Sequence, residues 1–204
     1  MQKLEAVIFD LGGVILNIDY HLTRKAFEEL GVKNFNEMYS QAAADKLFKR
    51  LETGNIKEAQ FHFEFNSCIG LQLKKDAINK AWNAMLLNFR EESLFFLDQI
   101  KSRYRLFLLS NTNEIHYRMF NSIYYKRNRH CSFEDFFEKA YYSFEMGMRK
   151  PDGNIYQYVV ERNNLEYGST LFIDDSIQNV EAAKILGMQT VLLKTDGSIE
   201  NLGL

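Results

Sequence analysis

The chain has 204 residues, 46% of them hydrophobic and 25% charged, with a formal net charge of −2. That size suits one soluble domain, or a domain carrying an inserted subdomain. The near-neutral charge argues against a nucleic-acid partner, and no apolar run approaches the roughly 18–20 residues of a membrane-spanning helix. Met1-Gln2-Lys3-Leu4-Glu5 leads straight into a strand with no cationic start, apolar core or cleavage site, so no signal peptide is expected. Cys68 and Cys131 lie far apart in sequence and read as two buried or half-buried thiols of a cytoplasmic protein, not as a disulfide or a metal site.

Residues 4–9 form the first predicted strand. Val7-Ile8-Phe9 is the apolar run of a buried parallel strand, and it ends in Asp10 followed by Gly12-Gly13. The glycine pair lets the backbone turn sharply and approach a ligand closely. From Ile18 to Phe89 the pattern is helical throughout, with apolar faces at Leu22/Ala26/Phe27/Leu30, Met38/Ala42/Leu47/Leu51 and Ile78/Ala81/Trp82/Met85, and breaks at Gly31, Gly54 and Gly70. Phe61, Phe63 and Phe65, with Trp82 and Met38, read as the core of this block. After it, helices are expected over 91–100, 113–125, 153–162 and 177–186, and strands over 106–109, 140–142, 170–173 and 190–193. Lys126–His130 is a basic run expected to be a solvated loop. Strand–helix alternation with short links predicts an α/β fold with a doubly wound, parallel, Rossmann-like sheet. The expected division is a core of residues 1–16 and 90–204 with an all-helical cap inserted at 17–89.

Polar groups gather at the predicted strand ends. Ser110-Asn111 follows the second core strand and can donate hydrogen bonds to an anion; the plainer reading is a helix N-cap. Lys150 stands before Pro151, the one proline of the chain, which fits the first turn of the next helix and would fix the lysine's place. Asp174-Asp175 places two carboxylates together, and a divalent cation such as Mg²⁺ relieves their repulsion. A carboxylate, a hydroxyl with an amide, a lysine and an acidic pair are what attack on a phosphate ester requires.

Four stretches, in order, resemble the motifs of the haloacid dehalogenase superfamily: Phe9-Asp10-Leu11-Gly12-Gly13-Val14, Leu109-Ser110-Asn111, Lys150-Pro151, and Phe172-Ile173-Asp174-Asp175 with Asn179 and Gly187 beyond. Within it the chain looks closest to bacterial phosphatases of the α-D-glucose-1-phosphate phosphatase kind. The resemblance implies a hydrolase in which Asp10 is the nucleophile that becomes an aspartyl-phosphate. Asp10, the carbonyl of Gly12 and an acidic residue of the pair Asp174/Asp175 would hold Mg²⁺. Ser110, Asn111 and the backbone of Gly12 and Gly13 would bind the phosphoryl group, and Lys150 would position Asp10 and neutralise charge. The expected partner is a small phosphorylated metabolite, and the expected assembly a monomer or homodimer. One departure stands out: most phosphatases of the superfamily carry an acid/base aspartate two residues after the nucleophile, where this chain has Gly12. That leaves three readings: a phosphatase with another acid or a less demanding leaving group, a haloacid dehalogenase, or a weakly active protein that binds a phosphorylated ligand or partner.

Other residues carry plainer expectations. His21, His62, His116 and His130 lack metal-ligand spacing. Asp19 reads as a helix cap. The turn Glu52-Thr53-Gly54 could reach down towards the substrate.

Overall fold

The computed structural model describes residues 3–33, 35, 42–127, 131–194 and 196–204. Met38 and His130 lie outside the described residues.

A five-stranded parallel sheet organises the chain. Its strands are β1 (Ala6–Phe9), β4 (Arg105–Ser110), β5 (Lys139–Tyr142), β6 (Thr170–Asp174) and β7 (Gln189–Leu192), in the spatial order β5-β4-β1-β6-β7. β1 is central because it is buried on both sides, and every one of its residues is apolar. Strand alternation splits the apolar side chains between two faces. Val7, Phe9, Leu106, Leu108, Leu171 and Ile173 pack with Leu97 of α5 (Glu91–Ile100) and Phe120 of α6 (Glu114–Arg127). Ile8, Phe107, Leu109 and Phe172 pack on the other face with Tyr156 of α8 (Gly153–Arg162) and Ala183 of α9 (Ile177–Ile185). A short helix α7 (Ser143–Met146), absent from the sequence reading, follows β5. Helices on both faces of a parallel sheet are the doubly wound architecture expected from the alternation. The order reverses beside β1, where such sheets keep their ligands, outside the carboxyl ends of the strands.

The block after β1 differs from expectation in one respect. It is not helical throughout: β2 (Leu16–Ile18) and β3 (Leu86–Phe89) pair antiparallel at its two ends, Leu16 opposite Phe89 and Ile18 opposite Leu86. Strands this short leave little periodicity to read, and the helices beside them mask it. This ribbon forms the neck between the sheet and the helices α1 (Tyr20–Glu29), α2 (Ala42–Glu52), α3 (Glu58–Ile69) and α4 (Lys75–Asn83), counted among the described residues. The helices share their own core, with Phe27, Phe48, Phe61, Phe65 and Trp82 in aromatic contact and Ile115 of α6 packed against them. Phe63 is not part of it. It is 73% exposed, because two residues' step along α3, about 200° of rotation, turns it away from the face shared by Phe61 and Phe65.

Three smaller expectations are also revised. Cys68 and Cys131 are both exposed, since each falls on the solvent side of its segment. Pro151 lies outside helix α8, which starts at Gly153 with Asp152 at its N-cap. Lys126 and Arg127 belong to the last turn of α6, where cations suit the helix dipole, not to a loop. Among the described residues no helix is long and apolar enough to cross a membrane.

Candidate active site

Register brings the polar groups together. Phe9 lies level with Leu108 of β4 and Ile173 of β6, so Asp10 and Asp174 leave the sheet side by side. The Asp10 amide donates to the Ile173 carbonyl at 2.9 Å, which carries the pairing one residue beyond the strand. Ser110 ends β4, buried on the same edge.

Lys150 comes from the loop before α8 and enters this cluster. Its Nζ donates to Asp10 Oδ1 and to Asp174 Oδ2, both at 2.7 Å. Lys150 is 1% exposed and Asp174 0%, so these charges face one another in a dry setting. Asn111 fixes the lysine's backbone: its Nδ2 donates to the Lys150 carbonyl, and its Oδ1 accepts from the Lys150 amide, each at 2.9 Å. The asparagine side chain is therefore spent on positioning Lys150. The next residue is anchored too, as the Ser143 hydroxyl accepts from the Thr112 amide and donates to its carbonyl, both at 2.9 Å. Asn113 caps α6, its Oδ1 accepting from the amides of Ile115 and His116. The cap reading of this segment thus holds at Asn113, while Ser110 lines a cavity.

Asp174 accepts three more hydrogen bonds, beside that from Lys150, on two oxygens: one from the Ser176 amide at 2.8 Å and two from Asn179 Nδ2 at 3.0 Å each complete its shell. Asp175 packs on Gly13. A Cβ at Gly13 would lie 2.1 Å from Asp175 Oδ2, and Gly13 has φ +72°, so the position admits glycine for two separate reasons. Asp10, Asp174 and Asp175 bring one carboxylate oxygen each within 4.8 Å of one another. Three carboxylates against one lysine leave an excess of negative charge. Burial pushes the Asp10 carboxyl up to about 7; Lys150 opposes this, and Asp174 and Asp175 add to it. Asp175 is raised by burial and by Asp174. For Lys150, burial acts to lower the pKa, but the two carboxylates outweigh it and hold the ammonium above its ordinary value. An all-oxygen donor set with surplus negative charge suits a hard divalent cation.

Asp10, Gly12, Ser110, Asn111, Lys150 and Asp175 line one cavity of about 350 Å³, with Asp174 buried behind them. Its floor is the carboxyl edge of the sheet. Its opposite wall comes from the helical block, with Tyr20, Arg24, Glu52 and Trp82. Sequence reasoning raised the Glu52 turn as able to reach the site, and Glu52 does line the cavity, paired with Arg149 at 3.2 Å. It gave no role to Arg24 or Arg149 and read Trp82 as core of the helical block, which it is while also lining the cavity; the available signal for Arg149 was its place beside Lys150. His116, set aside for lack of metal spacing, also lines the cavity. Its ring stacks on Trp82 at 5.0 Å, Nε2 meets the Trp82 carbonyl at 3.1 Å, and Nδ1 meets Asn113 Nδ2 at 3.2 Å. Burial lowers its pKa to about 4, so the imidazole is neutral, donating from Nε2. His21 is exposed and outside the cavity, and Asp19 caps α1 by accepting from the His21 amide at 2.9 Å.

Comparison with known proteins gives a consistent picture. Residues 7–193 match the sequence profile described as haloacid dehalogenase-like hydrolase. The chain is 26% identical over 187 residues to a D-ribitol-5-phosphate phosphatase of Bacteroides thetaiotaomicron, covering 92% of this chain and 90% of that protein. It is 25% identical over 186 residues to a sesquiterpene phosphatase of Aspergillus oryzae, covering 90% and 87%. Among solved structures it is similar to a haloacid dehalogenase family enzyme of Bacteroides thetaiotaomicron in complex with magnesium and inorganic phosphate, with TM-score 0.87, 31% identity, and coverage of 98% of this chain and 100% of that one. Two L-2-haloacid dehalogenases, at 16% and 15% identity, share the fold.

Proposed function

This chain belongs to the haloacid dehalogenase-like hydrolases, and we propose that it is a Mg²⁺-dependent phosphatase acting on a small phosphomonoester of a sugar or polyol. The observation that carries the reading is the buried set of Lys150 with Asp10 and Asp174, each at 2.7 Å, beside the third carboxylate of Asp175. The family relatives named as phosphatases, and the similar enzyme solved with magnesium and phosphate, support it.

The proposed roles follow from the geometry. Asp10, with one oxygen held by Lys150, presents the other to phosphorus and forms an aspartyl-phosphate. Lys150 keeps Asp10 aimed and offsets charge on the phosphoryl oxygens. Ser110 and the backbone N–H groups of the β1 and β4 turns bind those oxygens, while Asn111 holds the Lys150 loop in place. Asp10 and Asp175, with the Gly12 carbonyl, would hold Mg²⁺, and Asp174, already rich in hydrogen bonds, would bear on it from behind. Bound there, the cation supplies Lewis-acid stabilisation of the transferring group. The helical block acts as a cap that excludes water and selects the leaving group. The polar wall of Tyr20, Arg24, Glu52 and Arg149 favours a hydroxylated leaving group over a hydrocarbon one. The acidic trio, which a dehalogenase does not need, favours phosphoryl transfer.

The test is phosphate release from a panel holding D-ribitol 5-phosphate, glucose 1-phosphate, other sugar phosphates and an isoprenoid phosphate, with Mg²⁺ or with chelator. Mg²⁺-dependent release, highest for hydroxylated esters, is expected. No release from any ester would overturn the reading, and preference for the isoprenoid ester would overturn the substrate class.

A further inference from the structure

We infer that Glu52 is the catalytic carboxylate that moves the proton in both halves of this reaction, an inference that rests on the phosphatase reading. An alkyl phosphate leaves as an alkoxide and needs a proton, and the water that later cleaves the phosphoenzyme must lose one. Position 12 supplies no side chain. The space its Cβ would enter is closed by Ile18, whose Cδ1 lies 3.2 Å away. His116 has both ring nitrogens engaged. The acid/base must therefore come from elsewhere in the cavity.

In-line displacement places the attacking and leaving oxygens on opposite sides of phosphorus. Asp10 attacks from the sheet edge, so the leaving oxygen, and afterwards the water, face the wall built by the helical block. Among the described residues that line the cavity, the carboxylates are Asp10, Asp175 and Glu52. Asp10 is the nucleophile, and Asp175 sits on the floor against Gly13. Glu52 alone of the three comes from the facing wall.

The fold also holds Glu52 there. It is the last residue of α2, and the turn after it is pressed onto the core: a Cβ at Gly54, φ +66°, would stand 2.1 Å from the Phe144 carbonyl oxygen. Glu52 Oε2 pairs at 3.2 Å with Arg149, the residue before Lys150. The carboxylate on the wall and the ammonium on the floor are thus tied to one loop.

In the first half, the Asp10 oxygen bonds to phosphorus as the phosphorus–ester oxygen bond breaks, and protonated Glu52 gives its proton to the departing oxygen. In the second, water bonds to phosphorus as the bond to Asp10 breaks, the electron pair returns to the Asp10 carboxylate, and Glu52 takes the water's proton, ready for the next cycle.

The test compares the parent chain with Glu52→Gln and Arg149→Ala, using p-nitrophenyl phosphate, whose leaving group needs no proton, and an alkyl phosphate. Glu52→Gln is expected to lose about 10²–10⁴-fold in steady-state turnover of both esters. With the aryl ester it should show a stoichiometric burst of nitrophenol, because phosphoenzyme forms but is not hydrolysed. Arg149→Ala, which keeps the carboxylate, should show no burst. Glu52→Gln turnover like the parent's, slow turnover with no burst, or the same burst in Arg149→Ala would each overturn the inference. Loss of parent turnover in Asp10→Asn checks the phosphatase reading separately, and a parent with no Mg²⁺-dependent turnover overturns both.

Discussion

The floor and the wall of the cavity are built on different principles. On the floor, Lys150, Asp10 and Asp174 are buried and joined at 2.7 Å, and Asn111 and Asn179 fasten them again from behind. On the wall, the charged groups are partly exposed and more loosely paired: Arg149 with Glu52 at 3.2 Å, and Arg24 with Glu28 at 3.8 Å. Close, dry pairs resist displacement, because each charge depends on the others for its solvation. Looser pairs at a wet rim can exchange partners with a ligand at little cost. The floor is thus suited to the fixed attack on phosphorus, and the wall to choosing what is brought to it and, through Glu52, to moving the proton.

The most severe way to break this contrast is Lys150→Met. It leaves two buried carboxylates without their cation, so the metal-free protein should lose about 3–5 kcal/mol of stability, seen as an earlier urea midpoint. Mg²⁺ should restore part of that loss. An unchanged midpoint would mean the floor does not depend on the ammonium.

His116 joins the two regions, and its pH dependence sharpens the comparison. Its folded pKa, about 4, lies below the ordinary 6.5. Between these values the unfolded chain binds more protons, so stability falls as pH drops through that window and is fully present above it. The contribution reaches about 3 kcal/mol. The difference between parent and His116→Gln in urea midpoints, followed from pH 7 down to 4, should shrink or reverse as the pH falls. A constant difference would contradict the neutral, buried imidazole.

Gly13→Ala should cost about 1–3 kcal/mol from backbone strain alone, and it should also push Asp175 aside and weaken Mg²⁺ binding measured by calorimetry. The smallest effect is expected on the wall: Arg24→Ala should lower kcat/KM by about tenfold, ~1.4 kcal/mol, chiefly through KM. A loss carried by kcat instead would place Arg24 with the floor.

How much of this the sequence made legible follows the same division. Asp10, Ser110, Lys150 and Asp174 were readable because each ends a strand or sits in a short link before a helix, where parallel sheets present their ligands. The doubly wound order followed from the alternation of elements. The reach of Glu52 was readable as a possibility, since a glycine turn closes its helix. That Arg24 and Trp82 border the cavity was not readable, because they lie within helices whose apolar stripe gives no sign of which edge will face a cavity, although Trp82 was readable as core. The pairing of β2 with β3 was hidden by strands of three and four residues. The work of Asn111 was hidden as well: its bonds run to a backbone 39 residues away, a contact that no local pattern carries.

The central claim is tested most directly by phosphate release from D-ribitol 5-phosphate and glucose 1-phosphate with purified parent and Asp10→Asn, each with Mg²⁺ and with chelator. Turnover by the parent alone, and only with Mg²⁺, is the predicted result. Equal turnover by Asp10→Asn, or by the parent in chelator, would contradict the account.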